Sequence, residues 1–303
     1  MPGIAQIAKS DVPDYAFFDC GGHRKLERFG EITLIRPCPT AVWPPKLSNE
    51  VWEKAHAEFI RGPAGGEWQK NAALPETWKM SWGLVKLYLR LAAGGQVGVF
   101  PEQADNWEWV HRLVCAAKAK SAKPPTILNC FAYSGAATLW SAAAGAQVCH
   151  VDGARSNVTW ARRNAALSGL AECPIRWIVE DVYRFLSRER RRGRRYEGII
   201  LDPPAFGRGP GGRVWLLARD LPLLLETAAA LLSKCCLFMI ISCHAPELSA
   251  AKLAEMMRGC LGGQEGELEA GEMVISSCAG GRSLPCGCFA RWSSSYGYSL
   301  YYS

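Results

Sequence analysis

The sequence lacks the features that assign a chain to a protein class at first sight. No segment reaches the roughly 18 unbroken apolar residues that a membrane-spanning helix requires, and no internal repeat is visible. Strong compositional bias is also absent, because 49% of the 303 residues are hydrophobic and 21% are charged. This balance excludes a wholly disordered or fibrous chain and predicts a globular protein long enough to bury a core.

A secretory signal and a metal-binding cysteine pattern are missing as well. The first fifteen residues contain no long apolar segment, so we expect a cytoplasmic protein. The thirteen cysteines should then be mostly reduced thiols. No pair of C-x-x-C motifs occurs among them, and the sequence therefore does not predict a metal site.

The chain has little excess charge, and that excess is concentrated in one place. Its 35 Lys and Arg against 28 Asp and Glu leave a formal charge of +7. Residues 184–195 contain seven Arg and one Glu, so they carry six of the seven net positive charges. Two interpretations stay open: the solvated end of a helix, where cations suit the helix dipole, or a contact with RNA phosphates.

Two regions of different character follow one another along the chain. Residues 15–36 alternate like paired strands, and residues 37–82 are rich in Pro, Gly and Trp, with a short helix expected near residues 51–60. We therefore expect a small N-terminal α+β domain over residues 1–93 and a second domain over residues 94–303.

From about residue 125, short apolar runs alternate with helical stretches. Strands are expected at 127–128, 148–151, 175–179, 199–201 and 237–241, and helices at 136–144, 156–167, 182–192, 216–232 and 249–261. This alternation predicts an α/β fold, a Rossmann-like, doubly wound and mostly parallel sheet covered on both faces. Residues 273–275 and 288–292 could add an antiparallel edge. A ligand is expected at the carboxyl ends of the strands.

A turn of small and aromatic residues follows the first of these strands. It reads NCFAYSG from Asn129 to Gly135. Such a turn between a strand and a helix lets the backbone approach a bound nucleotide closely. Only one glycine of the G-x-G-x-x-G fingerprint is present, so a pyrophosphate cradle of the NAD type is not expected.

Carboxylates follow the next three strands. Asp152 can accept hydrogen bonds from both hydroxyls of a ribose. After the third strand, Asp181 can accept one from the amino group of adenine, while Val182 packs on the ring. In this order, with Asp202 after the fourth strand, these elements predict a nucleoside cofactor without phosphates, of which S-adenosyl-L-methionine is the obvious candidate.

The fourth strand ends in the segment DPPAF, from Asp202 to Phe206. Pro203 and Pro204 stiffen the backbone where a substrate would enter, and Phe206 could stack on a base. The segment therefore predicts the substrate side of the site.

These motifs resemble the class I methyltransferases that form 5-methylcytosine in large-subunit ribosomal RNA. The resemblance covers residues 94–292. ILNCFAYSGAAT is similar to the N-x-F-x-Y-(S/T)-G turn of that family, DPPAF to its D-P-P-x-F motif, and Ser242-Cys243 to its S-C motif. The segment GRGPGGRVW after DPPAF is similar to a branch without the RNA-binding PUA module. Position 205 is Ala, where the members with that module have Lys.

The resemblance implies an S-adenosylmethionine-dependent methyltransferase whose partner is RNA, ribosomal RNA in particular. The cofactor-binding residues that it implies together with the strand-end motifs are Phe100, Gln103, Asn129, Phe131, Ala132, Tyr133, Ser134, Gly135, Asp152, Gly153, Asn157, Asp181, Val182, Asp202 and Pro203. The substrate-binding residues are Pro204 and Phe206, and the catalytic residues are Cys243 and Asp202.

The proposed chemistry requires a reactive thiol. Carbon 5 of cytosine is a poor nucleophile until a thiolate adds to carbon 6, so such an enzyme needs a Cys that faces its substrate. In the expected strand order, strands four and five are neighbours, and Asp202 and Cys243 should lie side by side at the ligand edge. The alternative for Cys243 is a small buried residue at a strand end. His244 should point to the opposite face and is not paired with Cys243.

Two other functions stay open. Methyltransferases that act on amino groups, in a nucleic acid or a protein, use (D/N)-P-P followed directly by an aromatic residue, whereas here Ala205 precedes Phe206. A catalytically silent RNA-binding protein on the same scaffold is the third possibility, which the retained carboxylates Asp152, Asp181 and Asp202 disfavour.

Overall fold

The computed structural model describes residues 14–62, 65–208, 214–278 and 282–301. The first thirteen residues, and residues 209–213 of the GRGPGGRVW segment, lie outside this part of the chain. The described residues form two compact units. One comprises the residues up to Pro101 together with Val274–Leu284, and the other comprises Glu102–Met273 together with the residues from Pro285 onwards.

The first unit is built around an antiparallel meander that the alternating pattern of residues 15–36 predicts. Its five-stranded sheet has the order β1-β2-β3-β4-β5, in which only β3 and β4 run parallel, and β6 pairs with β7 in a separate hairpin. The elements are β1 (Tyr15–Gly21), β2 (Arg24–Phe29), β3 (Ile32–Pro37), α1 (Asn49–Trp52), β4 (Ala57–Gly62), β5 (Gly65–Lys70), β6 (Trp78–Trp82) and β7 (Val85–Leu89).

The prediction of a helix near residues 51–60 is wrong. Helix α1 ends at Trp52, and residues from Ala57 onwards form β4. Ala57 and Phe59 are buried, whereas Ile60 is exposed, and β4 hydrogen-bonds to a strand on each side. Pairing along both edges therefore outweighs the helical spacing of the apolar residues.

The second unit has the doubly wound α/β architecture that the sequence predicts. Its seven-stranded sheet has the order β10-β9-β8-β11-β14-β16-β15, in which β16 runs antiparallel to β14. Its strands are β8 (Thr126–Cys130), β9 (Gln147–Asp152), β10 (Ile175–Val179), β11 (Gly198–Leu201), β12 (Phe206–Arg208), β13 (Val214–Leu216), β14 (Phe238–Cys243), β15 (Gly266–Ile275) and β16 (Leu284–Ser294). Strands β12 and β13 form a small hairpin of their own. The helices are α2 (Ala104–Lys120), α3 (Ala136–Ala143), α4 (Arg155–Leu167), α5 (Val182–Arg191), α6 (Leu217–Ala229), α7 (Ala250–Cys260) and α8 (Ser295–Tyr301).

Burial on both faces of the sheet explains why its central strands are continuous apolar runs. In β8, Leu128 packs in the core on one face and Ile127 in the core on the other. The same alternation holds in β11, where Leu201 and Ile200 face opposite cores.

Strand order reverses between β8 and β11, and this reversal positions the site. The chain runs outward from β8 through β9 to β10, then returns to β11 and continues outward to β14 on the other side. The connections therefore diverge above the carboxyl ends of β8 and β11, which leaves a crevice there for a ligand. Within the described residues, no helix combines the length and apolarity that crossing a membrane requires.

Candidate active site

The turn after β8 has an unusual backbone. Phe131, Tyr133 and Gly135 have φ angles of 58°, 47° and 93°, all in the left-handed region. Phe131 and Tyr133 carry side chains, and the left-handed region is unfavourable for such residues. Non-glycine residues with these φ angles are typical of turns and ligand sites. Neighbouring backbone holds the turn in place, because Ala132 N donates to Val151 O at 3.1 Å and Gly135 N donates to Ala132 O at 2.9 Å.

Gly135 is required at its position for two reasons. Its φ of 93° disfavours any residue with a Cβ, and a Cβ there would lie 2.9 Å from the Cβ of Ala161. Helix α3 begins directly after it, so its first N–H groups point toward the crevice. The absence of a side chain therefore lets α3 start close to α4.

Asp152, at the end of β9, organises the turn. Its Oδ2 accepts a hydrogen bond from Tyr133 N at 2.8 Å, and its Oδ1 accepts from Ala154 N at 2.9 Å and Asn157 Nδ2 at 3.0 Å. A carboxylate has about four acceptor positions. One position is therefore left, which a ribose hydroxyl can occupy, while the other three hold the turn.

A buried polar network supports the turn from below. Asn129 Nδ2 donates to Thr138 Oγ1 at 2.9 Å, and that hydroxyl lies 2.9 Å from His150 Nδ1. Burial and the charge of Arg162 lower the pKa of His150 to about 3, so its imidazole is neutral. Asn129 is itself buried, and its side chain therefore braces the turn.

The end of β10 supplies a second acidic group beside Asp152. Glu180 N donates to Asp152 O at 3.1 Å, so the two strand ends are joined. Asp181 caps α5, with its Oδ1 accepting from Arg184 N at 3.0 Å, and Val182 begins the helix with its side chain in the core. The Glu180 carboxylate binds Arg188 Nη1 at 2.7 Å.

Most of the predicted cofactor residues belong to the second unit, whereas Phe100 belongs to the first. Asp152, Asn157 and the turn residues from Phe131 to Gly135 are brought together around one crevice, and Ser134 contributes by accepting from Asn164 Nδ2 at 2.9 Å. Gly153 is exposed between them and Glu180. Phe100 is half-buried in the first unit.

Beyond β11, Asp202 ends a chain of polar side chains, of which sequence analysis named Gln103, Ser242 and Asp202 but not Asn106. Asn106 Nδ2 donates to Gln103 Oε1 at 2.9 Å, Gln103 Nε2 donates to Ser242 Oγ at 2.8 Å, and Ser242 Oγ donates to Asp202 Oδ1 at 2.8 Å. Gln103, Asn106 and Ser242 are all buried. The chain therefore fixes one oxygen of Asp202 from the protein side.

His244 lies against the same carboxylate. Its Nε2 is 3.6 Å from Asp202 Oδ1, and its Nδ1 is 2.9 Å from Cys286 O and 3.6 Å from Glu102 Oε1. Burial alone would lower the pKa of His244, but Asp202 and Glu102 outweigh burial and raise it to about 9. At neutral pH, an imidazolium therefore lies between two carboxylates, and the group of three carries one net negative charge.

Cys243 occupies a different environment from its two neighbours. Its side chain is fully buried in the core of the opposite face, and Cys288 of β16 is its register partner. Burial, with smaller contributions from Cys288 and Asp202, raises the pKa of the Cys243 thiol well above its usual value. In this conformation the thiol is protonated. Register pairs Leu201 with Ile241, so Ser242 is the residue opposite Asp202.

The residues after Asp202 form the open side of the site. Pro203 is buried and Pro204 is exposed, and the Phe206 ring is 57% exposed on hairpin β12–β13. Trp215 of β13 joins this hairpin to the turn, because its indole N–H donates to Pro204 O and its ring lies 5.9 Å from that of Phe131. The residues that follow Asp202 in the chain thus present proline and aromatic side chains at the surface.

Within the described ranges, no group of three or more His, Cys, Asp or Glu side chains is arranged to hold a metal ion.

Comparison with known proteins agrees with this geometry. A family model described as S-adenosylmethionine-dependent methyltransferase matches residues 55–252, which is more than half of the chain. The chain belongs to this family. It is an enzyme, and its methyl donor is S-adenosylmethionine.

The crevice of this methyltransferase fits that donor. The N-terminus of α3, which begins directly after Gly135, offers backbone N–H groups to a nucleoside, and Asp152 has an acceptor position for a ribose hydroxyl. The net negative charge of Asp202, Glu102 and His244 suits a sulfonium, which is positively charged. The residues present therefore match both the polar and the cationic part of S-adenosylmethionine.

Similar proteins include one of known structure and several curated relatives. A methyltransferase from Agrobacterium tumefaciens is 39% identical with a TM-score of 0.87, over 92% of this chain and 90% of that one. A candidate methyltransferase from Streptococcus mutans shares the fold at 16% identity, with a TM-score of 0.72 over 94% of this chain and 76% of that one. Ribosomal RNA large subunit methyltransferase I of Aeromonas salmonicida is 32% identical over 123 residues, which are 40% of this chain and 29% of that relative. The chain therefore matches less than a third of the length of this relative.

Proposed function

We propose that this methyltransferase acts on RNA and that its substrate is large-subunit ribosomal RNA. The observation that carries the proposal is the Asp202 carboxylate, whose Oδ1 accepts from Ser242 Oγ at 2.8 Å and which precedes the exposed Phe206 by four residues in the chain. A carboxylate beside an aromatic ring suits a planar base with an exocyclic amino group, because the ring stacks on the base and the oxygen accepts from the amino group. The name of the A. salmonicida relative supports ribosomal RNA as the source of that base.

For the target atom we propose carbon 5 of a cytosine, with Cys243 as the nucleophile. The Cys243 thiol would give its proton to solvent and add as a thiolate to carbon 6, and carbon 5 would take the methyl group with release of S-adenosylhomocysteine. Transfer of the carbon 5 proton to solvent would then restore the carbon 5–carbon 6 double bond and expel the thiolate. S-adenosylmethionine supplies the methyl group when bound. Asp202 would hold the amino group of cytosine. Because the thiol is buried and protonated, this mechanism requires the end of β14 to rearrange when RNA binds.

Methyl transfer to an exocyclic amino group is a second candidate, and the burial of Cys243 favours it. Amine methylation needs no thiol. A carboxylate that accepts from the amino group would orient the nitrogen lone pair toward the methyl donor, and Asp202 is available for this role without rearrangement. The two candidates differ in the methylated nucleoside that they produce.

The test uses the full chain, S-adenosylmethionine with a labelled methyl group, and deproteinised large-subunit ribosomal RNA. Mass spectrometry of the digested RNA identifies the product for the wild type, for Cys243→Ala and for the control Cys288→Ala, which removes the facing thiol. Production of 5-methylcytidine that is lost only in Cys243→Ala supports the first candidate. An N-methylated nucleoside, formed equally well by Cys243→Ala, supports the second. If the wild type binds S-adenosylmethionine but methylates no RNA, the proposed substrate is wrong.

A further inference from the structure

Helix α5 has one buried and one cationic side. Val182, Phe185 and Leu186 pack into the core of the sheet, whereas Arg184, Arg190 and Arg191 are exposed on the other side. This amphipathic pattern follows from helical spacing, in which residues three or four apart lie on one face. The arginine run that dominates the net charge of the chain is therefore ordered along one helix and points outward.

Part of the run is neutralised inside the protein. Glu189 is buried, accepts from Tyr196 Oη at 2.7 Å and lies within 3.3 Å of Arg176 and 3.6 Å of Arg192. Arg188 binds Glu180. Among the residues that the structure describes, no carboxylate lies within 4 Å of Arg184, Arg190 or Arg191. Three cations on one helix face are thus left without an internal counter-charge.

These cations line a groove between α5 and α6. The groove has a volume of about 1060 Å³, and its walls include Arg184, Arg190 and Arg191 from α5 and the side chain of Leu223, 54% exposed, from α6. Its charged lining consists of four Arg and one Glu, and a concave surface with such an excess of one sign of charge focuses the field and concentrates anions. The exposed leucine adds an apolar surface that a compact anion such as free phosphate would not use.

The groove begins at the candidate cofactor site. Glu180 is one of its lining residues, and the backbone N–H of Glu180 is bonded to the carbonyl of Asp152 at 3.1 Å. From Arg184 to Arg191 the helix rises about 10 Å. The cationic surface therefore extends away from the crevice over a distance that several backbone phosphates of one strand would span.

We propose that this groove binds the sugar–phosphate backbone of the RNA substrate beside the methylated base. The inference rests on the RNA substrate proposed above. Guanidinium groups bind phosphate oxygens in a bidentate manner, and Leu223 would contact a ribose or base. An acidic protein segment would meet the same charges, but the position of the groove next to the cofactor site favours the nucleic acid whose base receives the methyl group.

The experiment measures binding of a fluorescein-labelled, mixed-sequence 12-nucleotide single-stranded RNA by fluorescence anisotropy at several salt concentrations. The groove variant carries Arg184→Gln, Arg190→Gln and Arg191→Gln. The control carries Lys54→Gln, Lys234→Gln and Arg258→Gln, which removes the same number of exposed positive charges elsewhere. We expect at least tenfold weaker binding at 0.1 M salt for the groove variant, and a salt slope smaller by about 2, since each single-strand phosphate contact contributes about 0.7. The control should change affinity less than twofold.

Calorimetry with S-adenosylmethionine checks that both variants keep an intact cofactor site. The proposal is overturned if both variants lose RNA affinity equally, or if the groove variant loses none. It is also overturned if the wild type binds a polyglutamate peptide of the same charge as tightly as it binds the RNA. The two proposals can fail separately. A wild type that methylates RNA while the groove variant does so equally well refutes only the groove, whereas a wild type that binds the oligonucleotide through the groove but methylates no RNA refutes only the proposed function.

Discussion

The imidazole Nε2 of His244 lies 3.6 Å from Oδ1 of Asp202, the carboxylate at the end of β11. Glu102 lies at the same distance from the other ring nitrogen, so the imidazole is held between two acids. Sequence analysis assigned no role to His244. Its charge nevertheless sets the electrostatics of the crevice, because an ionised Asp202 is stabilised by a protonated neighbour.

The pKa of His244 makes the stability of the fold depend on pH. Because the pKa is raised from 6.5 to about 9, the imidazolium stabilises the folded state fully below about pH 6.5 and this contribution is lost as pH rises through 9. Thermal melts of the wild type and His244→Gln should differ most near pH 6, by up to about 3 kcal/mol. The difference should shrink toward pH 10. A gap that is the same at both pH values would contradict the assigned protonation state.

Ser242 should act as a positioning residue for Asp202. Removing its hydroxyl in Ser242→Ala leaves the Asp202 oxygen without its 2.8 Å donor, and we expect kcat to fall about 10- to 100-fold while the Kd for S-adenosylmethionine stays unchanged. Ser242→Thr restores the hydroxyl and should recover most of the rate. If the threonine variant is as slow as the alanine variant, the effect is one of packing at the strand end.

Gly135→Ala should damage both the fold and the cofactor site. The added Cβ would meet Ala161 at 2.9 Å, and the φ of 93° is unfavourable for alanine, so we expect a loss of about 1–3 kcal/mol in unfolding free energy and weaker binding of S-adenosylhomocysteine in calorimetry. Gly169→Ala is the matched control, because its φ is 72° but nothing lies within 4 Å of the added carbon. It should lose about 1 kcal/mol and bind normally. Equal effects in both variants would remove the steric argument.

Asp152→Asn should weaken cofactor binding by at least tenfold. The carboxylate accepts from Tyr133 N, Ala154 N and Asn157 Nδ2, and an amide offers one acceptor oxygen in place of two. At least one donor then loses its partner, at a cost of about 1–3 kcal/mol. Calorimetry measures the affinity, and circular dichroism checks that the fold is retained. Affinity equal to that of the wild type would contradict a role of Asp152 in cofactor binding.

Alkylation should distinguish the buried Cys243 from exposed thiols. Brief treatment of the native protein with iodoacetamide, followed by peptide mass spectrometry, should modify the exposed Cys115, Cys235 and Cys278 well before Cys243. The physical reason is that Cys243 is inaccessible and protonated, whereas the thiolate is the reactive form. Early modification of Cys243 would mean that the end of β14 opens readily without RNA.

The sequence by itself determined the architecture of the second unit. Strands β8, β11 and β14 are buried on both faces, so they are mostly apolar, with Asn129 and Ser242 as buried polar exceptions, and this pattern is visible in the sequence without any tertiary information. The position of the crevice followed from strand order, and the turn ending at Gly135 and the acid Asp152 followed from their places at strand ends. The arginine run was also visible, but which of its members face outward was not.

Only the tertiary structure decided the environment of the individual groups at the site. A strand residue and its neighbour face opposite sides, so register alone made Ser242, and not Cys243, the partner of Asp202. The charge on His244 depends first on Asp202 and then on Glu102 and Cys286, all of which are far from it in sequence. Strand β4 formed where a helix was expected because strands on both sides supply its hydrogen bonds. In each case the deciding interaction joins residues that only folding brings together, and local sequence contains no signal for it.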